Sequence, residues 1–493
     1  MENLFFDLQK DKRFKRQVSL LRYLNTAAQP LNTNDTAAHL GCSKPTLASD
    51  IELLNDEFGE QMEIYSSLTG ELFFTLTKES SIDSLVTDLA KDTLVYHIID
   101  SIFHNRKLSM LQALGEFAVS RSKLLGTIYY MNDVLQLFNI SIATATLQFQ
   151  GREEDIRLFL FDFYASFGDM RFIGEEVEAQ VKDLMKDIEE MHIEPRLHFS
   201  YFRMSIWLAV AKYRWVNNDF VELPKWARDD LSNRVQFSHV QEVIQKFYQE
   251  NISTKTLPYD EMLWVLIASL DCISYSDELK NKEGYKYRRE EKEEIVKEIR
   301  SFLATVLSRE YFEDNSVERL EAFLVNQRLL STMTPNFELV PPRIKELILG
   351  THQEFYELWY TSLQSLPEDS CMKFYYLEDV AVILTMLHTT ILKYTETTKK
   401  VHVLFAFQGA NGFDDYLAKV SKMLLLENVS AEYFLERTIT SKMIKEKQAD
   451  LVICNYDLAI SQTKECPILR LSNIPTLLDW GNARDMLERM LSE

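Results

Sequence analysis

Apolar residues near the amino end of the chain recur three and four positions apart. Leu47, Ile51 and Leu54 follow this spacing, which predicts a helix that buries one face. The hydroxyl of Ser43 can cap the start of this helix. Pro45 falls in the first turn, where the missing N–H group costs no hydrogen bond. The pattern therefore predicts a helix that begins just after Ser43.

A short helix and a turn precede this element. Ala37 and Leu40 give the short helix a small and a large apolar contact, and Gly41 can take the positive φ that ends it. Farther along, residues 62–76 show the alternation of β-branched and aromatic side chains that is typical of a β-hairpin. Two helices joined by a tight turn and followed by a hairpin predict a winged helix-turn-helix.

The chain contains this pattern twice. Residues 120–132 align without gaps on residues 43–55, and the two stretches share a serine, a basic residue, a leucine, an isoleucine and an asparagine at identical offsets. Residues 114–119 can supply the preceding short helix and turn, and residues 140–149 alternate as a second hairpin wing would. Because two spaced copies are hard to explain by chance, we predict tandem winged helices.

The side chains left outward at the start of each second helix are short or basic. Such groups can approach phosphates and base edges in the major groove of DNA. The predicted DNA-binding residues are Ser43, Lys44, Thr46, Ser49, Ser120, Arg121, Ser122, Lys123 and, beside the second wing, Arg152. A helical hairpin of this kind can also serve core packing alone, and it is the repetition that favours DNA binding.

The charge distribution narrows this prediction. A net charge of −21 argues against a general nucleic-acid coat, but a local DNA site depends only on the charges that face the phosphates. Basic residues concentrate at the amino end, where Lys10, Lys12, Arg13, Lys15 and Arg16 lie close together. The rest of the chain carries most of the acid. This pattern suits a regulator that contacts DNA at one end only.

Length and composition bound the other classes of protein. At about 100–200 residues per domain, 493 residues suggest about three to five domains. The five cysteines lack metal-ligand spacing, and we expect reduced thiols of a cytoplasmic protein. No run reaches the ~18 apolar residues of a membrane span, and the polar amino end does not resemble a signal peptide. No catalytic constellation, metal cluster or cofactor motif is recognised, so no enzyme is predicted.

Two central segments, residues 166–285 and 286–396, show helical periodicity throughout. Their last helices resemble each other, because Pro258–Leu270 and Tyr376–His388 both begin with acidic residues and continue as a nearly unbroken apolar run. We therefore predict two related helical bundles. In the second segment we expect one continuous helix over residues 342–365.

The tail has a different pattern. Residues 401–407 predict a buried strand, residues 408–412 a tight turn and residues 413–426 a helix, and further strands and helices alternate after them. Alternation of this kind predicts a small, mostly parallel α/β sheet. The fold class is therefore multidomain and mainly α, with two amino-terminal winged helix-turn-helix domains, two helical bundles and a small carboxyl-terminal α/β domain.

This order of parts resembles the Mga/AtxA type of transcriptional regulator, which has tandem winged helices, two phosphotransferase-system regulatory domains and a domain similar to enzyme IIB. The corresponding boundaries are residues 1–78, 79–165, 166–285, 286–396 and 397–493. The resemblance implies an activator of bacterial genes that binds double-stranded DNA in promoter regions. It implies a homodimer or larger assembly, histidine phosphorylation by the phosphocarrier HPr and RNA polymerase as a further partner.

The resemblance also suggests which residues are modified. His388 ends a segment with the acidic start, apolar run and histidine of such regulatory domains, so it is the first candidate for phosphorylation. Its equivalent in the first bundle is Ser269 or Leu270, and His198 is the best remaining candidate there. The chemistry needs an exposed imidazole nitrogen. The alternative for either histidine is a helix-face residue satisfied by hydrogen bonds.

Two features separate this chain from related functions. Enzyme IIB domains carry a phosphorylated cysteine after the first strand, where residues 407–411 contain no thiol. We therefore expect a non-catalytic tail that serves dimer contacts or sensing, with Cys454 in its core. The alternative function is a phosphotransferase-linked RNA-binding antiterminator. Such proteins begin with a small β module, and nothing in residues 1–60 resembles one.

Overall fold

The structure is a computed structural model that forms two compact units, Met1–Thr390 and Ile391–Glu493. Each unit is described by itself. The described residues are 2–26, 31–67, 69–77, 80–167, 171–190, 200–231, 235–273, 293–313, 317–391, 400–408, 413–422, 428–435, 439–456, 466–472 and 474–492. Among these residues, every helix is too short or too polar to cross a lipid bilayer.

The first winged helix combines four helices with a small antiparallel sheet. The helices are α1 (Glu2–Leu8), α2 (Lys12–Thr26), α3 (Thr33–His39) and α4 (Lys44–Phe58). The strands are β1 (Leu31–Asn32), β2 (Met62–Ser66) and β3 (Glu71–Leu76), in the order β1-β3-β2. Met62, Ile64 and Leu72 turn inward from the hairpin and are buried, as the alternation predicts.

The second winged helix repeats the plan with shorter strands. Its elements are α5 (Ile82–Lys91), α6 (Leu94–Phe103), α7 (Met110–Glu116), α8 (Arg121–Leu135), β4 (Ser141–Ala143) and β5 (Gln148–Gln150). The apolar run before α7 contains two helices, with a break at Asp92 and Thr93. Thr93 causes this break because its Oγ1 accepts a hydrogen bond from the N–H of Tyr96, as an N-cap does.

In each winged helix, the turn between the last two helices contains a residue with a left-handed backbone conformation. Gly41 ends α3 with a φ of +61°, as the sequence predicts. At the matching place after α7, Ala118 has a φ of +50°. Because the side chain of alanine disfavours this conformation by roughly 1–2 kcal/mol, the second copy keeps the turn at some cost in stability.

Helix α9 (Glu153–Ala165) is buried along almost its whole length, from Glu154 to Tyr164. Phe159 packs against Phe149 of the second wing, with ring centroids 5.5 Å apart. Farther along α9, Phe161 stacks on Trp207 with a centroid distance of 4.4 Å. One continuous apolar core therefore runs from the winged helices into the helical region that follows.

That helical region contains two sets of helices. The first set is α10 (Glu175–Glu190), α11 (Tyr201–Val216), α12 (Lys225–Leu231), α13 (Val235–Asn251) and α14 (Tyr259–Asp271). The second set is α15 (Glu293–Val306), α16 (Glu310–Glu313), α17 (Glu318–Met333), α18 (Pro342–Thr351), α19 (Gln353–Gln364) and α20 (Leu377–Ile391). The single helix expected over residues 342–365 is wrong, because His352, with a φ of −137°, separates α18 from α19.

A buried aspartate holds the first set together at the start of its last helix. Asp260 accepts a hydrogen bond of 2.9 Å from the N–H of Leu223, the residue before Pro224. Arg228, four residues after this proline, donates to Asp260 from Nε at 2.7 Å. The carboxylate thus fixes the loop that enters α12 to the start of α14.

The second set contains the same arrangement. Asp379, at the start of α20, accepts a hydrogen bond of 2.7 Å from the N–H of Val340, the residue before Pro341. Lys345, four residues after this proline, donates to Asp379 at 2.6 Å. Because donor, proline and cation occupy the same relative positions in both sets, Asp379 corresponds to Asp260.

The carboxyl-terminal unit is a parallel sheet covered by helices. Its strands are β6 (Val401–Phe407), β7 (Val429–Leu435), β8 (Leu451–Cys454) and β9 (Ile468–Arg470), in the order β7-β6-β8-β9. Its helices are α21 (Phe413–Lys422), α22 (Ser441–Glu446) and α23 (Leu477–Ser492). The predicted fold class, mainly helical with a small parallel sheet near the carboxyl end, is confirmed. Most of the predicted glycine turn, residues 409–412, lies outside the described residues.

Candidate nucleic-acid interface

The two matched helices begin in the same way. Ser43 Oγ accepts a hydrogen bond of 3.3 Å from the N–H of Thr46, and Ser120 Oγ accepts one of 3.2 Å from the N–H of Lys123. Both serines are therefore N-caps. Their shared position sets the start of α4 and of α8, and their Oγ atoms are already engaged within the helix ends.

The residues after each cap divide into a buried and an outward face. Leu47 and Leu54 of α4, and Leu124, Ile128 and Met131 of α8, are fully buried. Of the predicted DNA-binding residues on these two helices, Lys44, Ser49, Arg121, Ser122 and Lys123 are exposed and Thr46 is half-buried. The start of each helix thus presents its polar residues to solvent.

An asparagine joins each helix to its wing. Asn55 donates from Nδ2 to the carbonyl of Ile64 at 2.7 Å, and its Oδ1 accepts from the N–H of the same residue at 2.9 Å. Asn132 makes the same two bonds with Ile142, at 3.0 and 2.7 Å. This pair explains the shared asparagine of the two sequence copies. A side-chain amide carries both donor and acceptor groups, so it can pair with the N–H and the carbonyl of one strand residue as a neighbouring strand would.

The structure also brings basic residues of the first winged helix close to α8. Lys15 of α2 lies 5.9 Å from the ring centroid of Tyr130 on α8. A groove of about 620 Å³ lies between the two winged helices, and its walls include Lys10, Arg13 and Lys123. Acidic side chains, among them that of Glu57, line the same groove.

Two of the basic residues are engaged by acids. Arg16 donates two hydrogen bonds to Asp50, a buried residue of α4, so its guanidinium serves packing between α2 and α4. Arg152 lies at the N-cap position of α9 and donates to Glu154 at 3.2 Å and to the carbonyl of Met333 at 3.4 Å. A phosphate would compete with these partners for either guanidinium.

Comparison with known proteins gives a match for the second winged helix. The model of the Mga helix-turn-helix domain matches residues 78–164, which contain α8 and its wing. This segment of the chain is therefore similar to the Mga helix-turn-helix domain. The predicted resemblance to the Mga/AtxA type is thereby confirmed.

Two curated relatives extend this similarity. A putative trans-acting regulator of Streptococcus pneumoniae is 24% identical over 248 residues, which cover 49% of this chain and 50% of the relative. The capsule synthesis positive regulator AcpA of Bacillus anthracis is 22% identical over 182 residues, which cover 36% of this chain and 38% of the relative. The chain thus aligns with half or less of the length of each.

Beyond the Mga domain, the structure places His388 inside an aromatic cage. The imidazole is only 4% exposed, and the rings of Tyr311, Phe355 and Trp359 surround it at centroid distances of 5.6, 4.8 and 5.7 Å. No described residue hydrogen-bonds to Nδ1. Burial lowers the pKa of His388 to about 4, so the ring is neutral at physiological pH. The ring is therefore buried, unlike the exposed imidazole that phosphorylation needs, and its Nδ1 lacks the hydrogen bond expected of a satisfied helix-face histidine.

The first helical set has no histidine at the corresponding position. His388 lies nine residues after Asp379, and Ser269 lies nine residues after Asp260. The hydrogen-bond pattern therefore selects Ser269 rather than Leu270 as the equivalent residue. Its hydroxyl is buried and donates to the carbonyl of Leu266 at 2.6 Å. His198, the other candidate, lies outside the described residues.

In the carboxyl-terminal unit, the side-chain amide of Asn455 pairs with the backbone of Gln408 at the end of β6. The N–H of Gln408 donates to Oδ1 of Asn455 at 2.9 Å, and Nδ2 of Asn455 donates to the carbonyl of Gln408 at 2.8 Å. Cys454 is buried, as expected of a core thiol. Burial raises the pKa of Cys466 to about 11, which keeps this thiol protonated and poorly nucleophilic.

Proposed function

We propose that this chain is a DNA-binding transcriptional regulator, and specifically an activator. The observation that carries the proposal is the repeated helix start, in which a capping serine precedes an exposed cation, Lys44 on α4 and Arg121 on α8. An asparagine pins a wing beside each of these helices. The relatives' names, a trans-acting regulator and a positive regulator of capsule synthesis, support the same function.

The Mga domain would supply the stronger contact. The start of α8 exposes two cations, Arg121 and Lys123, whereas Lys44 is the cation at the start of α4. Exposed cations at a helix start add to the partial positive charge of that helix end and favour a phosphate oxygen. Ser122 lies between the two cations and is placed to contact a base edge. Phosphate contacts position a protein on DNA, whereas base contacts in the groove read the sequence.

Replacing Arg121 and Lys123 by alanine tests this proposal. Each lost phosphate contact should reduce the magnitude of the negative slope of log affinity against log salt by about 0.9, and it should weaken binding to a promoter duplex. A footprint of the full chain on upstream regions of its own genome would supply the duplex, and titrations at several salt concentrations would give the slope.

The Lys442→Ala variant is the matched control, because the Lys442 side chain is 83% exposed in the carboxyl-terminal unit. Lys44→Ala measures the share of the first winged helix. Binding and salt slope that are the same for the wild type and the Arg121→Ala/Lys123→Ala variant would overturn the assignment of α8.

We also propose that the two helical sets are phosphotransferase-system regulatory domains and that HPr phosphorylates His388. The proposed active form is a homodimer that contacts RNA polymerase. The repeated aspartate, amide and cation support a duplicated regulatory domain. Because His388 is buried, phosphoryl transfer requires that the aromatic cage opens first. Labelled phosphate from phospho-HPr should appear on the wild type and not on His388→Phe; equal labelling of both would exclude this site.

The described residues up to 58 do not form the small β module of the RNA-binding alternative. An antiterminator would begin with a small β module. In the described residues up to 58, four helices and the two-residue strand β1 are present instead. The winged helices therefore favour duplex DNA as the partner.

A further inference from the structure

A cavity of about 300 Å³ lies where the two helical sets meet α9. Phe161 of α9, Phe323 of α17 and Phe337 give it apolar walls. Ile383, from α20, lines it on another side. Three kinds of polar group also reach it, a carboxylate, a guanidinium and side-chain amides. A mostly apolar cavity with a few polar groups is the usual form of a small-molecule site.

The charged groups of this cavity do not balance. Arg203 donates to Asp271 at 2.5 Å and lies over the ring of Phe161 at 4.8 Å. Asp271 also accepts the indole N–H of Trp207 at 2.9 Å. Asp162 is 7% exposed and makes no side-chain hydrogen bond to any residue that the structure describes. Arg203 thus forms its ion pair with Asp271, and no described cation donates a hydrogen bond to the Asp162 carboxylate.

Asn336 is a second polar group with unused capacity. The residue is 3% exposed, and its Nδ2 has no hydrogen-bond partner within the described part of the chain. Its Oδ1 accepts a long hydrogen bond of 3.4 Å from the hydroxyl of Tyr376. A buried amide N–H without a partner is rare in folded proteins, and the Asp162 carboxylate on the same cavity also has no side-chain hydrogen bond to a described residue. Together they indicate a missing partner.

We propose that this cavity binds a small primary amine with an apolar body. The ammonium group would donate to the Asp162 carboxylate, and the body would lie against the phenylalanine rings. A ligand that also carries an acceptor would take the free N–H of Asn336 as well. Burial, with Asp271 adding to it and Arg203 opposing it, raises the pKa of Asp162 to about 7. A bound cation would relieve this cost, because it favours the charged carboxylate. Such a ligand would contact both helical sets at once.

Calorimetric titration of the full chain with phenethylamine at pH 8 tests the proposal. We expect saturable binding at one site, in the millimolar range or tighter for a ligand of this size. The anion phenylacetate, which has the same ring, should not bind. The Asp162→Asn variant keeps the side-chain shape and removes the charge, and it should bind phenethylamine about tenfold more weakly, as expected for a lost charge-assisted hydrogen bond.

Two further variants keep the outcome interpretable. Asp183→Asn, at an exposed position of α10, should bind as the wild type does. Ile383→Phe should block the cavity from α20 without changing any charge, and a thermal melt of each variant shows that it is folded. Absence of saturable binding to the wild type, or equal affinity for Asp162→Asn, would overturn the proposal.

Discussion

Replacing Arg157 by methionine should lower the free energy of unfolding of the amino-terminal unit by about 3–5 kcal/mol. Arg157 of α9 is fully buried and donates two hydrogen bonds to Glu261 of α14, at 2.7 and 2.9 Å. It also donates to Glu153 and to the carbonyl of Asp219. Its removal leaves the Glu261 carboxylate buried without a counter-charge, and denaturant unfolding measures the loss.

A double variant shows where the cost arises. Glu261 also accepts from the indole of Trp215 and from the N–H of Val221, so Glu261→Gln in the Arg157→Met background removes the charge and keeps an acceptor. We expect this double variant to recover part of the loss. Arg121→Met, at an exposed position, is the control. A loss below about 1 kcal/mol for Arg157→Met would contradict the expected cost of an unpaired buried charge.

Acidification from pH 7 to pH 4 should cost the amino-terminal unit up to about 3 kcal/mol through His388 alone. Its pKa is about 4 in the folded chain, against 6.5 for an ordinary histidine. Below pH 6.5 the unfolded state therefore binds a proton that the folded state does not, so stability falls with falling pH and levels off below pH 4. Above pH 6.5 both states are neutral and the contribution disappears.

Comparison with His388→Phe isolates this effect from the carboxylates that titrate in the same range. The variant keeps an aromatic ring inside the cage and cannot be protonated, so its unfolding free energy should depend less on pH than that of the wild type. His97→Gln, on an exposed face of α6, should leave the wild-type dependence unchanged. Identical pH profiles for the wild type and His388→Phe would refute the lowered pKa.

Local signals predicted much of the fold. The spacing of Leu124 and Ile128 gave α8 with its buried face, and the apolar run of residues 401–407 gave the central strand of the parallel sheet. These elements follow from periodicity, caps and turns within a few residues. The break at His352 was missed. The break at Thr93 has a local signal, because a threonine in an apolar helical run can act as an N-cap.

The candidate interface was predicted less completely than the fold. The sequence identified the exposed cations of α8, because cap and periodicity fix which residues face outward. It could not distinguish Arg16 from its neighbours, since only the packing of α2 on α4 pairs it with Asp50. The role of the shared asparagine was also missed, because Asn132 and its partner Ile142 are brought together by the wing.

The sequence by itself determined the order of parts, the repeated helix start and the duplicated helical sets, since each depends on spacing within short stretches. Only the tertiary structure decided that His388 is enclosed by aromatic rings, and that Asp162 lines a cavity in which no described residue makes a side-chain hydrogen bond to it. The physical reason is that burial, pKa and hydrogen-bond satisfaction depend on atoms supplied by helices far apart in the chain.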